Sequence, residues 1–386
     1  MRIRPRGQIR SHRALHHKLV APWIIATLVT VLVIVLVSAG FYLLLRKPCS
    51  GQLTATIAAS PSVASVLESV ARDWLEEQPA VNGRCALVDV EAKDSPSMVQ
   101  ALGKRWNTKT NGTPPDAWVP DSSLWIQQAI NNPVVARMLP EPHPSLVRSV
   151  AVIAMPKPMA EVLGWPDSEL TWTTLVTEVA AAGWAQYGKP EWGAVRIGMT
   201  DPTKSTTGLL ALAAIASPDV NGRPPSQGVA TIRKLKQEQS FLVSSTDEII
   251  AEMAKADRQG EEAVFGYVSA FPALETDVLS YNLGNPTTPL VAVYADDGSF
   301  DADSPCVVLH AEWNDPARSE VAEKFLRYAR SEAGRAAYLD VGFRDADRAA
   351  GKSLDEDTGL TATMKLPARA TPDTAEVEQL FTAWNG

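Results

Sequence analysis

Four places in the chain put hydroxyl or carboxylate side chains where an apolar run gives way to an amphipathic one. Ser60-Pro61-Ser62 follows "LTATIAA" (Leu53 to Ala59), and Ser95-Pro96-Ser97 stands just beyond "ALVDVEA" (Ala86 to Ala92). Pro120-Asp121-Ser122-Ser123 follows "DAWV", and Ser205-Thr206-Thr207 lies inside "DPTKSTTG". At a strand-to-helix junction such side chains stand beside the first-turn N–H groups, which have no intrahelical partner and carry partial positive charge. The chemistry this allows is recognition of an acceptor-rich polar or anionic solute. Each serine taken singly is also explained as a helix N-cap, with proline at a first-turn position where its missing N–H costs nothing. Their shared position is what points to a site, because ligands of open parallel sheets bind beyond the carboxyl ends of the strands.

The candidate contacts are therefore Ser60, Ser95, Asp121, Ser122, Ser205 and Thr206. Tyr267 joins them, because "AVFGYVSA" reads as a buried strand that ends near the same edge. Asp121 is equally well explained as a cap, Trp118 and Trp125 as packing residues, and Lys204 as a solvated side chain. Bond-breaking chemistry has little support. After the N-terminal segment only His143 and His310 remain, and neither has a neighbour that suggests a metal site. No G-x-S-x-G elbow, P-loop or G-x-G-x-x-G is present. No cofactor is expected, and the serines lack a base.

The elements that would carry these residues alternate. "VASVLESVARDWL" places Val63, Val66, Leu67, Val70, Ala71, Trp74 and Leu75 on one helical face after the first strand. "SMVQALGKRW" and "SSLWIQQAI" follow the second and third strands in the same way. A second series, "WGAVRIGMTDPTKSTTGLLALAAIA", "TDEIIAEMAKA" and "EEAVFGYVSAFPAL", repeats strand and helix, and "PLVAVYADDGSFDADSPCVVL" reads as an extended pair. Such alternation implies an α/β fold with a mostly parallel sheet in each unit. The tail from Asp345 is polar and is expected to dock only in part.

Charge is distributed unevenly. Arg2, Arg4, Arg6, Arg10, Arg13, Lys18, Arg46 and Lys47 precede the first acid, Glu68. Removing those eight from 36 bases leaves 28 against 44 acids, a net of −16 for the rest. A body that acidic argues against nucleic acid as a partner. Val20 to Leu45 is 26 residues without a charge, and about 20 suffice to cross a bilayer. Six bases before it place the N-terminus in the cytoplasm. The reading is a basic cytoplasmic tail (1–19), a single-pass signal anchor (20–45), a linker (46–52) and an extracytoplasmic body at the cell membrane. The competing reading is a cleaved signal peptide with "VSA" before Gly40, but the apolar run continues past that point. "RKPC" lacks the small and aliphatic residues of a lipidation site.

Outside the cytoplasm a disulfide is allowed. Cys49 and Cys85 each precede one of the first two long strands. If those strands are parallel neighbours, the two cysteines share an end of the sheet and form a bridge. Cys306 reads as a buried small hydrophobe.

Taken in order, "TIAASPSV", "EAKDSPSMVQAL", "DAWVPDSSLW", "TDPTKSTTGL", "AVFGYVSA", "VYADDGSFDADSPCVVL" and "EKFLRYARSEAGRAAYLDVGF" resemble the type II periplasmic or extracellular solute-binding proteins. They are closest to the molybdate/sulfate-binding-like branch and its anchored actinobacterial members. The resemblance implies two lobes joined by crossing segments near Ser149–Pro158 and Leu290–Gly298. Lobe 1 would be 53–148 with 290–386, and lobe 2 would be 149–289. It implies a small ligand (oxyanion, sugar or other polar solute) held in the interlobe cleft for transport or sensing, with Ser60, Ser95, Asp121, Ser122, Ser205, Thr206 and Tyr267 as contacts. Partners would be the membrane and a transporter or a von Willebrand type A protein. The D-x-S-x-S motif of such a domain is missing, so that partner would be elsewhere or lost. The alternative is an envelope interaction module on the same fold without a small ligand.

Overall fold

The computed structural model describes residues 22–45, 49–219, 221–222 and 227–386. The basic tail 1–19 and Arg46 and Lys47 of the linker lie outside the described residues. The chain divides into two units, Met1–Ser50 and Gly51–Gly386. In the first, α1 (Pro22–Leu45) is a helix of 24 residues with no acid in its first turn and no base in its last. Its threonines turn inward, Thr27 donating to the Trp23 carbonyl at 2.8 Å and Thr30 to the Ala26 carbonyl at 2.9 Å. Counting only the side chains that are described, no helix is long and apolar enough to cross a membrane. Counted whole, the sequence of α1 is about 36 Å of uncharged helix.

The second unit begins with β1 (Gln52–Ala59) and α2 (Pro61–Glu76), then β2 (Ala80–Val81), β3 (Arg84–Ala92), α3 (Ser95–Leu102), β4 (Ala117–Val119) and α4 (Ser123–Ile130). α2 buries Val63, Val66, Leu67, Val70, Ala71 and Trp74, as its spacing requires, while Leu75 stays exposed. β1 lies between β3 and β4 and is parallel to both. The register sets Ala59 level with Ala92 and with Val119. That alignment brings the first three junctions to one edge of one sheet. At the other edge Gln52 lies opposite Cys85, and Cys49 and Cys85 are disulfide-bonded.

A second layer is built on β5 (Ser149–Pro156), β6 (Gly198–Thr200), α5 (Thr206–Ala216), α6 (Gly228–Glu238), β7 (Phe241–Val243), α7 (Thr246–Asp257), α8 (Glu261–Tyr267), β8 (Phe271–Leu274) and α9 (Glu275–Leu283). β9 (Leu290–Val293), β10 (Asp301–Ala302) and β11 (Val307–Val308) follow. β6 and β7 are parallel, and β6 continues toward β8 through a parallel bridge from Ile197 to Ala270. β5 pairs antiparallel with β8, β9 and β10, and β11 pairs antiparallel with β4. The segment expected as a long extended pair is thus three short strands.

"AVFGYVSA", expected as a strand, is mostly the helix α8, and the strand β8 starts only at Phe271. Gly260 at the N-cap and Glu261 and Glu262 in the first turn favour a helix start. The short apolar run could not distinguish the two states. The tail is a second correction. After α10 (Pro316–Ala329) and α11 (Glu332–Asp340), the chain from Asp345 docks along its length. It buries Leu354 and Leu360, then Val377, Leu380, Ala383 and Trp384 of α12 (Thr374–Asn385). α12 packs on α5 and α6 and on α4. Arg369 donates to the Ala214 carbonyl at 2.9 Å and the Pro218 carbonyl at 3.0 Å, closing the C-terminal end of α5. Cys306 is a free, buried thiol, as its apolar surroundings implied.

Two fully buried charges tie separate segments of the chain together. Arg344 faces the Glu275 carboxylate with two bonds, Nε at 2.9 Å and Nη2 at 2.6 Å. Tyr294 donates to Glu275 at 2.6 Å, and the Val150 N–H of β5 donates at 3.3 Å. The remaining guanidinium N–H groups reach the carbonyls of Thr361, Ala362 and Arg348. Removing one partner leaves an uncompensated buried charge, which costs about 3–5 kcal/mol, whereas replacing both can be near neutral. Arg344→Met is therefore expected to lower unfolding stability by about that amount in urea titrations. Glu275→Leu combined with Arg344→Met is expected to lose less than Arg344→Met alone.

Candidate functional site

A cavity of about 790 Å³ lies where the strand ends of both layers meet. On one side it is lined by Ser62, Asp94, Ser95 and Asp121, from the junctions after β1, β3 and β4. On the other it is lined by Ser205 and Thr206 after β6, Ser245 to Asp247 after β7, and Thr276 and Asp277 after β8. Parallel register explains the second side as it does the first. β6 and β7 end level at Thr200 and Val243, and the Asp201 N–H donates to the Val243 carbonyl at 2.8 Å. The volume falls in the range of small-molecule pockets, roughly 300–1,000 Å³.

The structure places the seven predicted residues unequally. Ser95, Asp121, Ser205 and Thr206 line the cavity; Ser60, Ser122 and Tyr267 do not. Ser60 stands at the N-cap of α2 but makes no side-chain cap bond. It is wholly buried and its Oγ meets Ser62 Oγ at 3.1 Å. Because β1 is the central strand, Ser60 continues the sheet, its N–H donating to the Val119 carbonyl at 2.9 Å. The cavity wall here is Pro61 and Ser62. Ser122 is the cap of α4, its hydroxyl accepting from the Leu124 N–H at 3.3 Å. Tyr267 ends a helix, and its ring stacks on Phe241 with centroids 5.0 Å apart. Burial, with Glu252 and Glu248 nearby, pushes its hydroxyl up to about 12.

Ser95 is not a cap either. Asp94 caps α3, accepting from the Ser97 N–H at 2.9 Å, and Ser95 is the first helical residue. This frees the Ser95 hydroxyl to donate to Asp121 Oδ1 at 2.6 Å. With Ser122 serving as the cap, Asp121 is likewise free. Its carboxylate also takes a hydrogen bond from Thr206, the first residue of α5, and Trp125 Nε1 of α4 donates to Thr206 Oγ1 at 2.7 Å. The relay Trp125 to Thr206 to Asp121, met by Ser95, joins helices of both layers. Burial raises Asp121, and the bonds from Ser95 and Thr206 pull it back only in part. Ser205 Oγ pairs with Thr207 Oγ1 at 2.8 Å, which also meets Thr246 at 2.8 Å and Thr200 at 3.1 Å. Lys204, 60% exposed, pairs with Asp201 at 3.1 Å.

Sequence reasoning missed Asp94, Ser245, Thr246, Asp247 and Asp277. The signal was available, since "SSTDEI" and "LETD" repeat the same device after β7 and β8. Five carboxylates, Asp94, Asp121, Asp247, Asp277 and Asp340, line the cavity against one base, Lys204. The lining has no histidine or cysteine. Among the described residues no cluster of three or more His, Cys, Asp or Glu side chains is placed to hold a metal ion.

The chain matches the model of the bacterial extracellular solute-binding protein family over residues 55–344. It belongs to that family. Solved structures with this fold include the periplasmic binding protein AfuA from Actinobacillus pleuropneumoniae with fructose-6-phosphate bound, at TM-score 0.56 and 14% identity, covering 87% of this chain and 98% of that one. Iron-bound HitA from Pseudomonas aeruginosa matches at TM-score 0.52 and 14% identity, covering 86% and 98%. A periplasmic thiamin binding protein matches at 0.53 and 13%, covering 86% and 94%. No curated protein matches the chain. At such identities the likeness shows the fold, a two-lobed α/β type II binding-protein fold, and leaves the ligand open.

Asp277 makes the cleft's charge measurable. Burial, with Asp247 and Asp121 nearby, raises its carboxyl from the ordinary 3.8 to about 7, against one lowering bond from the Leu274 N–H. A raised acid binds more protons folded than unfolded, so its contribution is fully present below about pH 4 and is lost as pH rises through about 7. Asp277→Asn is expected to remove that dependence. In thermal melts from pH 5 to pH 8, the Tm of the variant relative to the parent should rise with pH.

Proposed function

We propose that this chain captures a small polar solute between two lobes at the outer face of the membrane. The observation that carries the reading is the cavity at the converging strand ends of both layers, in a chain of the extracellular solute-binding family. The crossing segments are read as 149–158 and 290–298, which contain the paired strands β5 and β9. The contacts are read as Ser95, Asp121, Ser205 and Thr206, supported by Ser62, Thr246 and Asp277. Capture is read as proceeding without bond chemistry, in keeping with membership of a solute-binding family. Solute binding would bias closure of the lobes, and closure is the signal that a transporter or sensor partner reads. Native mass spectrometry of the gently purified full chain is expected to show a retained small molecule that dissociates on activation. An empty cleft, with no thermal shift on adding any solute class, would instead support an interaction module without a ligand.

The anchor is part of the same reading. α1 is uncharged over 24 residues, and bases flank it on both sides in the sequence. A helix of that length and composition spans the hydrocarbon core, with the basic end inside. The full chain is expected to sediment with membranes and resist high salt, and a form lacking residues 1–45 to remain in the soluble fraction. Soluble full-length chain would defeat the anchor.

A further inference from the structure

The cavity's charge and the state of its hydroxyls define the class of solute, given the solute-binding reading above. An oxyanion would need free donors. Ser95 and Thr206 already give theirs to the Asp121 carboxylate. Most helix starts around the cavity are occupied in the same manner by the chain's own acceptors. Asp94 takes the Ser97 N–H of α3 at 2.9 Å, and Asp303 takes the Ser123 N–H of α4 at 2.7 Å. Ser245 accepts from the Glu248 N–H of α7 at 3.4 Å, and Asp277 from the Leu274 N–H before α9 at 2.8 Å. α2 and α5 are the exceptions, since neither Ser60 nor Ser205 makes a side-chain cap bond. Each of these two termini supplies only about half a positive charge.

Against that stand Asp94, Asp121, Asp247 and Asp277. None of the four has a lysine or arginine ion-pair partner among the described residues. They lie within electrostatic reach of one another, Asp277 near Asp247 and Asp121, and Asp121 near Asp94. The cavity's one base, Lys204, pairs with Asp201 instead, and like charges gathered in one cleft repel and raise the energy of the empty state. The wall between them is apolar at Pro61, Val66, Pro96, Leu279 and Phe343. Such a lining suits a cation with a hydrocarbon frame.

We propose that the solute is an organic cation, a protonated amine or quaternary ammonium, whose charge sits among Asp94, Asp121, Asp247 and Asp277. The carboxylates accept from the ammonium or balance it, and the apolar wall covers its carbon skeleton. The Trp125–Thr206 relay keeps Asp121 turned into the cavity.

The test is a thermal-shift series on the full chain in detergent. Putrescine, spermidine and choline serve as cations, inorganic phosphate and glucose 6-phosphate as anions, and glucose and glycerol as neutral probes. At least one cation is expected to raise Tm, with no rise for the anions. Calorimetry with that cation should show Kd at least about 30-fold weaker in Asp121→Asn, as for loss of one partner of a buried charge pair. Exposed Asp247→Asn, which leaves the core untouched, should show a smaller loss and a weaker salt dependence. A Tm rise with phosphate, glucose 6-phosphate or a neutral sugar and none with the cations would overturn the inference while leaving solute capture standing. Unchanged cation affinity in both variants would also overturn it. Silence from all three classes would overturn solute capture itself.

Discussion

The Arg344 guanidinium and the Glu275 carboxylate are both withdrawn completely from water, and four separate segments depend on their being paired. Glu275 opens α9 directly after β8, Val150 belongs to β5, Tyr294 follows β9, and Ala362 lies in the C-terminal tail. The pair therefore sits where the chain passes between its two layers. Burial pushes the Tyr294 hydroxyl far up, and the adjacent Glu275 carboxylate pushes it further, so it remains a donor. The guanidinium is held in its charged form by Glu275 despite its desolvation. Such a cluster adds little net stability relative to an apolar core, but it tolerates few alternative arrangements.

From that fixed point the cleft follows by register. Ala59, Ala92 and Val119 end level in one layer, and Thr200 and Val243 end level in the other. Parallel strands cannot be joined by tight hairpins, so each is followed by a helix that starts at the same edge. The hydroxyl and carboxylate junctions converge for that reason. The relay from Trp125 through Thr206 to Asp121 then joins the two sides directly. The C-terminal helix α12 joins them again by packing on α4, α5 and α6.

Much of this was legible beforehand. The apolar spacing of α2 and the strands flanking it needed only local periodicity, and the Cys49–Cys85 bridge needed only that β1 and β3 be parallel neighbours. Tyr267 was misplaced because a short apolar run fits a helix or a strand equally well. The tail was underestimated because Leu354 and Leu360 stand isolated in polar chain and the helical spacing of Val377, Leu380 and Trp384 was not taken up. Asp247 and Asp277 were not singled out, and nothing local distinguishes an acid that sits in a helix's first turn from one that also faces a cavity.

The sequence by itself determined the alternation of elements, the acidic body, the uncharged N-terminal helix and the repeated Ser-Pro-Ser device. Those are properties of composition and of periods of two and 3.6 residues. Only the tertiary structure decided which member of each junction reaches the cleft. Ser60 and Ser95 have the same neighbour on one side and the same spacing to the next serine. Ser60 follows the central strand and is buried in its sheet. Ser95 follows a strand beyond it, where Asp94 takes the cap and leaves the hydroxyl to Asp121. The difference is a matter of strand order, and strand order is written in contacts between residues far apart in the chain.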